Sequence, residues 1–416
     1  MTATRLILIN ALIRIASAAS GQLFAFLLAE RMGARSHAGA GSLVAGLIGV
    51  SFYITELLGA PMAGRIADSR GQLRVLRWGP VFGVVSVLTA AAAALAGFPL
   101  PILTAVLIAA RVTEGASAAC VVPTTLALLA RVTAGGSIRR LRLMGLFEIT
   151  SLVALILGYL IAGAAWDSLG GWAFVLLPAA YAGAWLLAPG GEGGRESVAA
   201  PRARAWQVVR ELIRLPGALP FVGAWLAVNA VVGVWLQQAP YLLKLPARSL
   251  SQTLVGGYSG RAIGVIFAVW GLTFLIGIGL WSVLAAHWPR RRTLAIALVG
   301  MLAVVVSLAL VNHGASRVLL GVAALGILVE SGFTPAAFAH IADLTDARES
   351  YRGMAMGVYS LLLGAGQLIG AGLGAPFAAR WQMDGLLACT AVLAVVGFIG
   401  VSLMAPHPHV PSPRQS

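Results

Sequence analysis

Apolar residues in this chain run on without interruption, instead of alternating as in a half-buried strand or recurring every three to four positions as in a surface helix. Such runs lie at about 7–29, 40–62, 78–98, 101–130, 143–165, 172–189, 217–242, 259–286, 293–312, 317–341, 353–377 and 385–405. Most approach the roughly 20 residues a helix needs to cross about 30 Å of hydrocarbon. The pattern predicts an all-α integral membrane protein with twelve transmembrane helices. A membrane barrel would show short segments of alternating polarity, which are missing. The first run has almost no charged stretch ahead of it and no small-residue cleavage site, which predicts a retained helix and not a signal peptide.

Composition agrees with the pattern: 59% of residues are hydrophobic, 10% are charged and the mean hydropathy is +0.90. The net charge of +15 would suit a nucleic-acid partner, but its distribution argues against one. Arg65, Arg70, Arg74 and Arg77 follow the second run, Arg131, Arg139, Arg140 and Arg142 the fourth, and Arg195, Arg202, Arg204, Arg210 and Arg214 the sixth. Arg290, Arg291 and Arg292 follow the eighth, while the loops at 98–101, 166–171 and 313–316 hold no Lys or Arg. Positive charge on alternate loops orients a membrane protein, here with both termini in the cytoplasm and the chain in the cytoplasmic (inner) membrane. Cys120 and Cys389 sit inside apolar runs and read as packing residues, with no disulfide or metal framework.

The longest polar stretch, 190–216, divides the chain into six-helix halves at 1–189 and 217–405, with a disordered tail at 406–416. Its end, RAWQVVRELIRL, segregates apolar and charged faces as a helix lying in the membrane interface would. Shifting the chain by 212 positions lays Pro123 on Pro335, Arg140 on Arg352, Met144 on Met356 and Gly158 on Gly370 without a gap. That register supports duplication, and two halves related along the membrane normal are one architecture of secondary transporters, with the substrate held between them.

The stretch GRIADSRGQLR, residues 64–74, places Gly64, Asp68, Arg70, Gly71 and Arg74 between the second and third helices. On these residues, and on the Arg111-to-Gly115 spacing of the fourth helix, the chain resembles the major facilitator superfamily over essentially its whole length. The resemblance implies a secondary transporter of the drug/proton antiporter kind. It further implies that the 64–74 cluster latches the halves together on the cytoplasmic side when the carrier faces outward. Gly64 would permit close approach of a neighbouring helix. The antiporters' fifth-helix signature is incomplete: GYLIAG has Tyr159 in place of its proline and Ala162 in place of a glycine.

Several polar residues stand in apolar surroundings. Arg111 and Glu114 share a helix face and can pair, so they are candidates for proton coupling or for a static ion pair. Glu56 and Glu330 are further candidate protonatable carboxylates, and Glu148 reads as a charge near the cytoplasmic end of its helix. Asn10 and Arg14 are expected in the substrate cavity, since an arginine inside an apolar helix avoids lipid. Asn229, Gln237, Gln238 and Trp235 could supply hydrogen bonds and stacking to a ligand, Tyr241 reads as an interfacial anchor, and His340 reads as solvated. No phosphate-binding loop, zinc motif or nucleophile elbow is present, so the protein is not expected to be an enzyme and no cofactor is implied. A proton gradient is the expected energy source. The expected partners are a small-molecule or lipid-like substrate, protons and membrane lipids around a monomer. Efflux of amphipathic molecules leads; uptake of an organic anion, lipid or lysolipid flipping, and a non-transporting receptor remain alternatives.

Overall fold

The structure, a computed structural model, describes residues 2–33, 38–132, 137–189, 218–246, 249–285, 288–345 and 349–404. The expected linker at 190–216 with its surface helix, and the tail at 406–416, lie outside the described residues. Among the described residues there are helices and no strand. They are α1 (Ala3–Gly33), α2 (Ala38–Arg70), α3 (Gln72–Leu95), α4 (Leu100–Val132) and α5 (Ser137–Leu169), then a 3₁₀ segment Gly170–Leu176 leading into α6 (Leu177–Leu187). The second half holds α7 (Ala218–Lys244), α8 (Gly260–Leu284), α9 (Arg290–Asn312), α10 (Leu319–Glu330), α11 (Phe333–Thr345) and α12 (Glu349–Ser402).

Among the described residues, ten stretches are long and apolar enough to cross a membrane, and two of them double back. Along the first, Gly158 packs on Ile15 and Ala18 of α1 and Trp166 on Phe26. After Gly170, where φ is +53°, Phe174 meets Phe24 and Gly183 meets Leu12. The chain thus climbs α1 and then descends it. In α12 the backbone leaves helical geometry at Gln382, and Gly385 packs against the Phe377 carbonyl. Eight residues of unbroken helix would hold those positions about 12 Å apart, so α12 is a tight helical hairpin.

The break between α10 and α11 falls just ahead of Pro335. Pro335 has no N–H to give the Ser331 carbonyl four residues back, and its ring crowds that group. The helix closes with Ser331 N donating to Ile327 O and Gly332 N to Val329 O, then restarts as Ala336 N donates to Gly332 O. Large apolar side chains such as Leu186, Val318 and Val283 are more than two-thirds exposed, as lipid contact requires. The chain is a multi-pass membrane protein.

The halves meet through α2 against α7 and α12, α5 against α8, and α1 against α7. Among the described residues, the tightest glycine contacts between the halves lie toward the end away from the arginine-rich turns. There Gly39 lies on the Ala379 carbonyl and Gly46 on Ala375, and Gly163 and Gly260 touch backbone to backbone. Further along, Gly364 has only the Leu57 side chain at 4.0 Å, and Gly64, Gly145 and Gly279 have no neighbour within that distance of an added Cβ. Among the described residues, the halves pack closely at one end and these glycines near the other stand open.

Candidate functional site

In α4, Arg111 Nη1 lies 2.7 Å from Glu114 Oε2, one helical turn on. The same carboxylate accepts from Ser20 Oγ of α1 at 3.0 Å and from Tyr181 OH of α6 at 3.3 Å. The guanidinium sits 4.4 Å from the Phe52 ring centroid and 5.4 Å from that of Phe24. Gly115 makes this possible, since a Cβ there would lie 2.5 Å from the Phe52 carbonyl and push α2 away. Arg111 and Glu114 are 5% and 1% exposed. A buried carboxylate held by three donors has its charge compensated within the first half.

A second group surrounds Arg14. Among the described residues neither Arg14, Glu56 nor Glu148 makes a direct ion pair, yet Arg14 on α1 is within electrostatic reach of Glu56 on α2 and Glu148 on α5. Arg14 Nε is buried without a hydrogen-bond partner. Beside it, Asn10 Nδ2 donates to Ser151 Oγ at 2.8 Å, tying α1 to α5. Glu148 was expected near a helix end, and α5 begins at Ser137, so the carboxylate lies about three turns inside. The signal that could have found it is its one-turn spacing from Ser151, which turns it toward the polar stripe of α1.

In the second half, Glu330 is the last residue of α10, at the break, and makes no ion pair among the described residues. Two side chains occupy the neighbouring Leu328 carbonyl: Trp281 Nε1 of α8 donates at 2.8 Å and Ser331 Oγ also donates at 2.8 Å. The α7 amides bind protein. Gln237 Nε2 donates to Ala45 O at 2.9 Å and Gln238 Nε2 to Ser42 O at 3.1 Å, both across the halves to α2. Asn229 Nδ2 bonds its own helix at Trp225 O, and Trp235 Nε1 donates to Thr390 Oγ1. Two expectations need correcting. Tyr241 is fully buried rather than interfacial, because Gly41 of α2 leaves room for its ring. His340 is 4% exposed rather than solvated, its ring tilted against that of Phe221 with centroids 4.7 Å apart.

The 64–74 cluster is mostly helix. α2 runs on to Arg70 and α3 starts at Gln72, leaving Gly71 as the whole connection. Its φ of +96° is open to glycine and strained for other residues. Asp68, Arg70 and Arg74 are exposed, and Arg131 Nη1 of α4 reaches Gln72 Oε1 at 3.3 Å. Gly64, expected to admit a neighbouring helix, faces open space.

Residues 245–416 match the model of the Major Facilitator Superfamily. No curated protein matches the chain. Among solved structures, a mutant form of the nucleoside transporter NupG superposes with a TM-score of 0.72 at 11% identity, over 98% of this chain and 100% of its own. A D-xylose-proton symporter superposes with a TM-score of 0.67 at 14% identity, over 95% and 96%. These likenesses establish the fold across both halves, and the family model falls on the second.

Proposed function

We propose that the protein is a proton-coupled secondary transporter that exports small amphipathic molecules by alternating access. The reading rests on halves that pack closely at one end with glycines standing open near the other, and on Arg14, Glu56 and Glu148 grouped on three helices without direct partners. Protonation of Glu56, Glu148 or Glu330 would change the relative stability of the two access states, which is how a proton gradient biases a carrier. Arg111 and Glu114, already paired, would hold the first half rigid. The arginine-rich end would face the cytoplasm with both termini, in the inner membrane. The 64–74 cluster would latch that end when the other opens. A monomer with no cofactor suffices for this cycle.

A second reading, uptake of an organic anion, is favoured by one observation: the buried Arg14 Nε without a partner. The test is purified protein in liposomes under an imposed pH gradient. The panel comprises labelled amphipathic cations, organic anions, lysolipids and, prompted by the structural neighbours' names, nucleosides and pentoses. The expected result is gradient-driven flux of amphipathic cations that is lost in Glu148→Gln. Flux indifferent to the gradient, or unchanged when Glu56, Glu148 and Glu330 are all replaced by Gln, overturns the proton coupling. Anion flux lost in Arg14→Gln moves the assignment to uptake.

A further inference from the structure

At the end where the halves pack closely, two carboxylates of the first half grip the second half by charge. Glu30, near the end of α1, accepts from Trp166 Nε1 at 2.7 Å, which fixes its direction. The same oxygen lies 3.6 Å from Nζ of Lys244 at the last position of α7, the only lysine in the chain. Asp167, at the end of α5, spans the halves with both oxygens. Oδ1 accepts from Gly260 N at 2.7 Å and Oδ2 from Arg261 N at 2.8 Å.

Those two N–H groups open α8, whose Ser259 caps Ala262 N. The first N–H groups of a helix have no partner within it, and its dipole favours a negative charge at that point. Asp167 therefore supplies two hydrogen bonds and a charge where the second half most needs them. Gly260 is required for this: a Cβ there would lie 2.8 Å from Asp167 Oδ1 and 2.7 Å from the Gly163 carbonyl. The amide bonds of Gln237 and Gln238 to α2 lie at the same end but carry no charge.

The geometry points to a two-carboxylate clasp, Glu30 on Lys244 and Asp167 on the α8 N-terminus, that closes this end of the carrier and sets the ratio of its two access states. The inference rests on alternating access, because the bonds join the halves at the end that must separate. It predicts that every turnover breaks both contacts, and that the clasp opposes whatever latch acts at the arginine-rich end.

The test reads conformation, not flux. Spin labels at Leu169→Cys and Leu250→Cys report the sealed end, and labels at Ser69→Cys and Val283→Cys report the other, on the full chain in nanodiscs. Asp167→Asn and Glu30→Gln should each raise the population separated at the sealed end by about fivefold or more, the lower range of conformational coupling. The population parted at the arginine-rich end should fall in step. Glu30→Gln touches a half-exposed side chain, so it keeps the test alive if Asp167→Asn fails to fold. Unchanged populations in folded variants overturn the clasp. Shifted populations in a protein that moves no solute would support the clasp and refute the transport reading.

Discussion

The fourth and tenth helical runs occupy equivalent places in the two halves, yet they handle charge and proline in opposite ways. Under the 212-residue shift Arg111 faces Ala323, Glu114 faces Gly326, and Ala118 faces Glu330. The first half holds a buried ion pair that Ser20 and Tyr181 complete. The second holds a single carboxylate where its helix stops. Both runs contain the matching proline, but α4 continues through Pro123 and the second-half run divides before Pro335. At the position where α4 has Cys120, the second half has Gly332, packed on the Trp281 ring. The comparison teaches that two runs in matching register can handle charge and proline differently, one with an unbroken helix and an ion pair and the other with a break and a lone carboxylate.

The largest effect should come from breaking the ion pair. Arg111→Met leaves Glu114 buried without its cation and should cost about 3–5 kcal/mol, whereas Arg111→Met with Glu114→Met should recover most of it. Apparent melting midpoints of the purified variants in detergent would decide this, and an equally poor double variant would show that the pair does more than neutralise itself. A smaller effect is expected at the helix break. Trp281→Phe removes one of two donors to the Leu328 carbonyl and should cost about 1 kcal/mol, visible in the same melts and as faster amide exchange around residues 328–332. The smallest stability change is expected for Glu330→Gln, within about 0.5 kcal/mol, because no ion pair is lost. If Glu330 carries a coupling proton, this variant should nonetheless weaken gradient-driven flux in liposomes. A large loss of stability there would instead mark Glu330 as structural, like Glu114.

Much of the architecture was legible from apolar run length, since the bilayer allows few solutions and most runs matched a helix within a few residues. The Arg111 and Glu114 pair was legible because their spacing is local. The electrostatic neighbourhood of Glu148 with Arg14 was less legible, because that partner comes from α1. Tyr241 and His340 were misread because interface and interior look alike in a one-dimensional pattern. The uses of Gln237 and Gln238 were also hidden, since their acceptors are backbone carbonyls nearly two hundred residues away.

By itself, then, the sequence determined the membrane class, the number and order of apolar runs, the repeat and the arginine-rich end. Each is written in composition or in contacts within a helical turn. Only the tertiary structure decided which end packs closely, that Asp167 caps a helix of the other half, and that Arg14 stands among carboxylates from two other helices. These depend on how separate helices are placed against one another, and close backbone approach and buried charge set that placement at long range.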